Sequence, residues 1–418
     1  GHWGIQWLGT NNYNLGLSYL FGIPKDAFHK TDYWLKLAGN LPLYVHSDMN
    51  IIYSDGKYKL AQDYLLNNEK IPKESVIEKV NNLKVDEYVK TLQTKQLLRY
   101  DEQLDKVYTE NLLMSNPGDN VGGWDVEFLL PSNRRYKGKV KKIDGYKNPY
   151  ISKDSKGKNI ICKELDEQTG YIKVSSFLQE YIEDDKKAIQ DFMNDSSGTY
   201  EKLIIDVRGN IGGEPSSWMD NIVRPLLKES VEINRITAVK KSYFTRMNVR
   251  YAYYRLTTTN HLLKKRINHI TNIDKIEYDG LNESEWNVYK ITQVLTPANN
   301  FSFDGQVYVL TDNDTLSAAD SFVRAIKETK IGKVVGTNTL GWGNVFMQPN
   351  ICALPISGLM LRFDIEMPYN SDGTINSING VKPDVNLAPS TYPTPYPINY
   401  EVSTLLEDPW IVWVMNDR

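Results

Sequence analysis

The sequence predicts an α/β fold built on a mostly parallel sheet with helices, preceded by a smaller α+β module. Three observations carry this. From about residue 168, apolar runs of strand length alternate with helix-length segments, the pattern of βαβ units. Two of those runs, Leu203–Val207 and Val307–Leu310, continue almost without polar interruption, as strands covered on both faces do. Upstream, Asp55-Gly56 stands between the extended runs Ile51–Tyr53 and Tyr58–Leu60, a hairpin signal.

Residues 1–40 are rich in Trp, Tyr, Gly and Asn with weak periodicity, which predicts irregular, aromatic-packed structure. Leu41–Val45 reads as a strand before the Asp55-Gly56 hairpin, and Val85–Leu92 has helical spacing with Asp86 near its start. This order of strand, turn and short helix over 41–115 resembles the second half of a PDZ-like module. Residues 95–115 read as another helix. Trp124–Leu130 and Lys137–Ile143 read as a hairpin around Pro131-Ser132-Asn133, within a hairpin and linker spanning 116–167.

The core is expected over 168–400. Its elements are a strand at Gly170–Val174, a helix at Tyr181–Asn194, the strand Leu203–Val207 and a helix at Ser216–Leu227. After a Tyr-, Lys- and Asn-rich insertion or long hairpin at 229–300 come the strand Val307–Leu310, a helix at Ser317–Thr329 and a short strand at Val334–Gly336. Leu359–Phe363 closes the pattern. Residues 401–418, with the cluster Trp410–Met415, read as a C-terminal packing segment.

Composition narrows the function. With 49 basic and 52 acidic residues the net charge is −3, so no basic field argues for nucleic acid. The two cysteines, Cys162 and Cys352, form no metal or redox motif and exclude a disulfide scaffold. His261 and His269 are not in a metal-binding arrangement and no acidic cluster has calcium spacing, so neither a metal nor a cofactor is expected. No apolar run approaches the ~20 residues of a membrane helix. The chain opens at Gly1-His2-Trp3 without an initiator Met, which implies that something upstream was removed.

Two segments could carry chemistry. Asp206–Gly213 (Asp-Val-Arg-Gly-Asn-Ile-Gly-Gly) follows a buried strand. It reads either as a tight turn or as exposed backbone N–H aimed at an anion, and it lacks dinucleotide-binding spacing. Thr311–Phe322 places Ser317 where a helix starts after a polar turn. Ser317 is then either a plain N-cap or a nucleophile beside helix N-terminal amides. The loops Gly336–Asn344 and Gly380–Val385 are uninformative alone.

Together, and in this order, the segments resemble the carboxy-terminal processing peptidase family of serine peptidases. The likeness covers roughly 168–390. It rests on Leu203–Gly213, Ser317-Ala318-Ala319-Asp320, Val334–Gly341 and Gly380–Asp384. The resemblance implies a ClpP/crotonase-like protease core, with Ser317 as nucleophile and the N–H groups of Gly213 and Ala318 as an oxyanion hole. Gly212, Trp342 and Ser377 would line the substrate cleft. The lysine of the family's Ser/Lys members is absent, since Trp342 stands at its place. This points to the tricorn-like Ser/His branch, whose histidine lies upstream; Gly1-His2 matches it, and His2 becomes the candidate base. His29, His46, His261 and His269 read as surface or packing residues. Ser377 stands where the branch has a glutamate, and Asp372 is the nearest carboxylate in sequence. The implied activity is a serine endopeptidase or processing peptidase acting on extended peptide segments; the alternative is an inactive relative that binds peptide. The resemblance also implies an extracellular or cell-envelope location.

Overall fold

The computed structural model describes residues 45–94, 98–101, 104–109, 111–115, 122–144, 158–195, 200–242, 272–276, 285–298, 303–343, 350–353, 360–363, 366–387 and 400–417. They fall into two compact units. Among them no helix is long and apolar enough to cross a membrane.

The first unit is an antiparallel sheet with one helix. Strands β1 (Ile51–Ser54) and β2 (Lys57–Leu60) join through Asp55 (φ 50°) and Gly56 (φ 73°), the paired positive φ of a tight hairpin turn. They continue onto β3 (Val76–Val80), β4 (Trp124–Leu129) and β5 (Arg135–Val140), in spatial order β5-β4-β3-β2-β1. The expected hairpin at 124–143 is therefore part of this sheet. Helix α1 (Val85–Thr91) starts where the Glu87 carboxylate accepts the Lys84 N–H at 3.3 Å. Tyr53, Tyr58, Leu60, Trp124, Val126 and Phe128 form the core.

The helix expected over 95–115 is not there. Arg99–Asp101 and Lys106–Tyr108 pair as a hairpin, and Met114–Ser115 is a strand. Asp101 decides this. Its buried carboxylate accepts the Tyr53 hydroxyl at 2.8 Å and the Leu104 N–H at 3.2 Å, a local bond that competes with helix. Asp105 turns at φ 51°, and Tyr108 then stacks on Tyr53 at 4.3 Å.

The second unit is built on a six-stranded sheet. Strands β6 (Ile160–Asp166) and β7 (Thr169–Val174) pair antiparallel. From β7 the sheet runs parallel through β8 (Lys202–Asp206), β11 (Gln306–Thr311), β12 (Lys333–Gly336) and β14 (Val385–Asn386). Helix α2 (Ile182–Asp195), the helical run 215–226 and α3 (Ala318–Thr329) supply the crossovers, and a single apolar core joins them to the sheet. Ile205, Val207, Val309 and Val334 are all 1% exposed or less, which is why these runs read as continuous apolar strands. The expected insertion contains a long hairpin, β9 (Val231–Lys240) and β10 (Trp286–Leu295), with β13 (Glu366–Tyr369) on its edge. Helices α4 (Asn376–Asn379) and α5 (Pro409–Asn416) complete the unit.

Two boundaries differ from expectation. The sheet takes in β6, upstream of residue 168. Leu359–Phe363 does not close it: Met360–Phe363 pairs antiparallel with Asn350–Ala353, and β14 is the parallel edge. A two-residue strand shows no periodicity; Asp384 fixes it by accepting the Val334 N–H at 2.9 Å and returning its own to the Val334 carbonyl.

Candidate active site

In a parallel sheet all strands end at the same edge, so the loops after β8, β11 and β12 converge. Ser317 sits in the middle loop, with φ 60° and ψ −122°. A side chain at positive φ costs roughly 1–2 kcal/mol, and here the backbone is held on both sides. Leu316 N–H donates to the Asn210 carbonyl at 3.0 Å, and Ser317 N–H donates to the Gly341 carbonyl at 3.0 Å. Ser317 occupies the N-cap position of α3, yet its hydroxyl accepts no N–H of the helix. The plain N-cap reading therefore fails.

The first loop comes against this serine through two glycines. A Cβ on Gly212 (φ 95°) would lie 2.7 Å from both Ser317 Cβ and Ala318 N. A Cβ on Gly213 (φ 141°) would lie 2.3 Å from the Phe177 carbonyl. Asn210 sets the turn: its Oδ1 accepts the Gly212 N–H at 2.9 Å, and its Nδ2 donates to the Val174 carbonyl at 3.1 Å. Phe177 N–H donates to the Gly212 carbonyl, and Glu214 N–H to the Phe177 carbonyl, at 2.9 and 2.7 Å. These bonds pass over Gly213. Among the described residues, neither the Gly213 nor the Ala318 N–H has an acceptor.

Behind the serine lies a buried polar cluster. Asp320, one turn into α3 and fully buried, accepts the Thr339 hydroxyl and the Asn376 Nδ2 at 2.9 Å. Thr339 Oγ1 in turn accepts the Val381 N–H at 2.7 Å, so its proton must point to Asp320. Asn376 Nδ2 also reaches Asn370 Oδ1 at 3.0 Å, and its Oδ1 accepts the Gly343 N–H at 3.2 Å. The cluster ties α3, the 337–343 loop and α4 together. Burial pushes the Asp320 carboxyl up to about 6, against the lowering effect of its Thr339 and Asn376 donors.

A second cluster anchors the Gly209–Gly213 loop. Arg208 grips Asp206 through Nε and Nη2 at 3.0 and 2.7 Å, and Tyr171 donates to the same carboxylate at 2.8 Å. Burial alone would raise Asp206, but Arg208 and Lys173 outweigh it and hold it below the usual carboxylate range. Lys173, itself pushed down by burial, donates to the Arg208 carbonyl. Asp312 accepts the Gly209 N–H at 2.9 Å, and burial raises its carboxyl.

Of the residues expected from sequence, Ser317, Gly212, Gly213 and Ala318 come together. Trp342 adjoins them, partly exposed at φ 68° between Gly341 and Gly343. Ser377 is partly buried in α4, its Cα 3.4 Å from where a Gly341 Cβ would lie. Asp372 is exposed, and its carboxylate accepts the Thr374 N–H and hydroxyl. His2, His29, His261 and His269 lie outside the described residues, and His46 ends a short strand of the first unit. Sequence reasoning passed over Thr339, Asn376 and Lys173. A lysine inside the otherwise apolar strand Gly170–Val174 was the one visible signal.

Similarity to known proteins defines the class. The family model of Peptidase family S41 matches residues 168–387, over half of the chain, and the chain belongs to that family. Mature CPAF has a similar fold at 13% identity and a TM-score of 0.53, covering 90% of this chain and 89% of that one. Mature CPAF complexed with lactacystin matches at 14% identity and a TM-score of 0.51, covering 83% and 79%. The photosystem II D1 C-terminal processing protease matches at 16% identity over 90% and 86% of the two chains, with a TM-score of 0.35. No curated protein matches.

Proposed function

We propose that this chain is a serine peptidase that cleaves extended peptide segments through an acyl-enzyme on Ser317. The observation that carries the reading is a serine at a strained turn, its hydroxyl unused by the helix it begins, beside two N–H groups that have no acceptor among the described residues. The hydroxyl attacks the scissile carbonyl. The Gly213 and Ala318 N–H groups receive the developing oxyanion, a form of stabilisation that needs donors already in place. His2 is the proposed base: it takes the Ser317 proton and returns it to the leaving amine, after which water releases the acyl group. The substrate lies as an added strand held by main-chain bonds, with Trp342 against one of its side chains and Ser377 at the cleft edge. The first unit, a helix on an antiparallel sheet, is proposed to be a PDZ-like module.

The test is digestion of an unfolded protein mixture, read by mass spectrometry, with wild type and Ser317→Ala compared. Cuts made by wild type and missing from the variant support the reading, and His2→Ala then examines the base. Equal, empty digests overturn it and favour a peptide-binding relative, the outcome that Ser377 in place of a glutamate would accompany.

A further inference from the structure

We propose that helix α5 and its cap Asp408, which lie beyond the stretch matched by the family, are a positioning element of this site, acting through Arg208. The inference rests on the reading that the Gly213 N–H serves acyl transfer at Ser317.

Asp408 does two things at once. Its Oδ1 caps α5 by accepting the Trp410 and Ile411 N–H groups at 2.8 and 3.3 Å. Its Oδ2 accepts Arg208 Nη1 at 2.8 Å. Trp410 then lays its indole on the Arg208 guanidinium, 5.2 Å from ring centroid to Cζ. The same ring fills the space beside Gly336, where a Cβ would come within 2.7 Å of it. Arg208 is 3% exposed, and its three donor nitrogens all point at carboxylates, two contacts on Asp206 and one on Asp408.

Arg208 is also the residue from which the Gly209–Gly213 loop departs. Its own N–H donates to Asp206 at 3.0 Å, its carbonyl accepts Lys173, and the next N–H is held by Asp312. Asp206 and Asp312 both face Arg208 and Lys173, and Asp408 adds a carboxylate at Nη1, the end of the guanidinium that Asp206 does not reach. Without it, Nη1 loses its carboxylate in the interior, and the cheapest relief is movement of Arg208. That movement carries the loop. A reacting group displaced by about 1 Å can cost roughly 100-fold in rate.

The far end of α5 provides an internal control. Lys202 donates to the Val414 and Met415 carbonyls at 3.0 and 2.9 Å and to the Asp417 carbonyl. Lys333 and Tyr308 bind the Asp417 carboxylate at 2.6 and 2.9 Å. Those contacts hold the helix and do not touch the loop.

The experiment measures labelling of Ser317 by a fluorophosphonate probe, split into the inactivation rate and the probe's apparent affinity, beside the melting temperature. Asp408→Asn removes the charge while keeping a good N-cap. Its inactivation rate is expected to fall roughly 10- to 100-fold with affinity unchanged. Asp408→Glu restores the carboxylate and should recover part of the rate even where it melts lower. Lys333→Ala should lower the melting temperature and leave the rate alone. Wild-type labelling rates in Asp408→Asn overturn the proposal, as does a rate that simply follows melting temperature across all three variants. If wild type is not labelled, or Ser317→Ala is labelled equally, the reading of Ser317 falls, and this inference with it.

Discussion

At the amino ends of β8, β11 and β12 the polar groups are closed on one another. Lys202 gathers the last carbonyls of α5, the Gln306 side chain takes the Tyr308 hydroxyl, and Lys333 pairs with Asp417. At the carboxyl ends of the same strands the chain does the opposite. Two N–H groups lack acceptors among the described residues, a serine sits at φ 60°, and two carboxylates, Asp206 and Asp320, are buried with Asp312 partly so. One sheet thus carries a saturated end and an end kept in reserve. A folded chain tolerates unpaired, strained groups only where surrounding contacts impose them, and the contacts doing so here can be removed one at a time.

The largest effect should come from the reserve itself. Ser317→Ala should lower peptide turnover by something on the order of a million-fold, as removal of a nucleophile does elsewhere. It should leave the melting temperature nearly unchanged, because alanine inherits the same strained turn. Ser317→Gly should be equally inactive yet more stable by about 1 kcal/mol, and a calorimetric scan of both variants would show the strain directly.

Next is Gly213. Gly213→Ala forces a methyl into the Phe177 carbonyl, so the donor must move. Turnover should drop roughly 100- to 1,000-fold, and stability should fall as well. Full activity in this variant would show that the unpaired N–H is idle.

Asp320 sharpens the contrast through pH. Burial holds its carboxyl near 6, above its ordinary value. Between about 4 and 6 the folded chain therefore binds a proton that the unfolded chain does not. Stability from this group rises as pH falls through that window and is lost as pH climbs past 6, by up to roughly 3 kcal/mol. Asp320→Asn should abolish that slope. Melting curves of both proteins from pH 4 to 7 decide it, since parallel curves would mean that the carboxyl does not titrate there.

The smallest effect belongs to the saturated end. Lys333→Ala removes a partly exposed ion pair and should cost under about 1 kcal/mol, with peptide turnover unaltered.

The alternation of strands and helices was legible because the central parallel strands are buried on both faces and so are apolar over most of their length. The loops were legible only as a set in a fixed order. Ser317 alone reads as an N-cap, and its backbone angle is what separates it from one. Residues 95–115 misled because helix-compatible side chains are overruled by the bond between Asp101 and Tyr53, 48 positions apart. The contacts between Asp320 and Asn376, and between Arg208 and Asp408, span comparable or longer separations. No local pattern records such pairs. The cluster Trp410–Met415 was visible as something that packs, but its partner was not.

Order of synthesis gives the Asp408 contact a meaning in time. Arg208 and the glycine loop leave the ribosome about two hundred residues before the carboxylate that meets Arg208 Nη1. At about 5–20 residues per second, that gap lasts on the order of ten to forty seconds. Until then Arg208 Nη1 lacks the carboxylate that α5 brings to it. A loop held in part by a segment made about two hundred residues later waits for that segment before all of its contacts are in place.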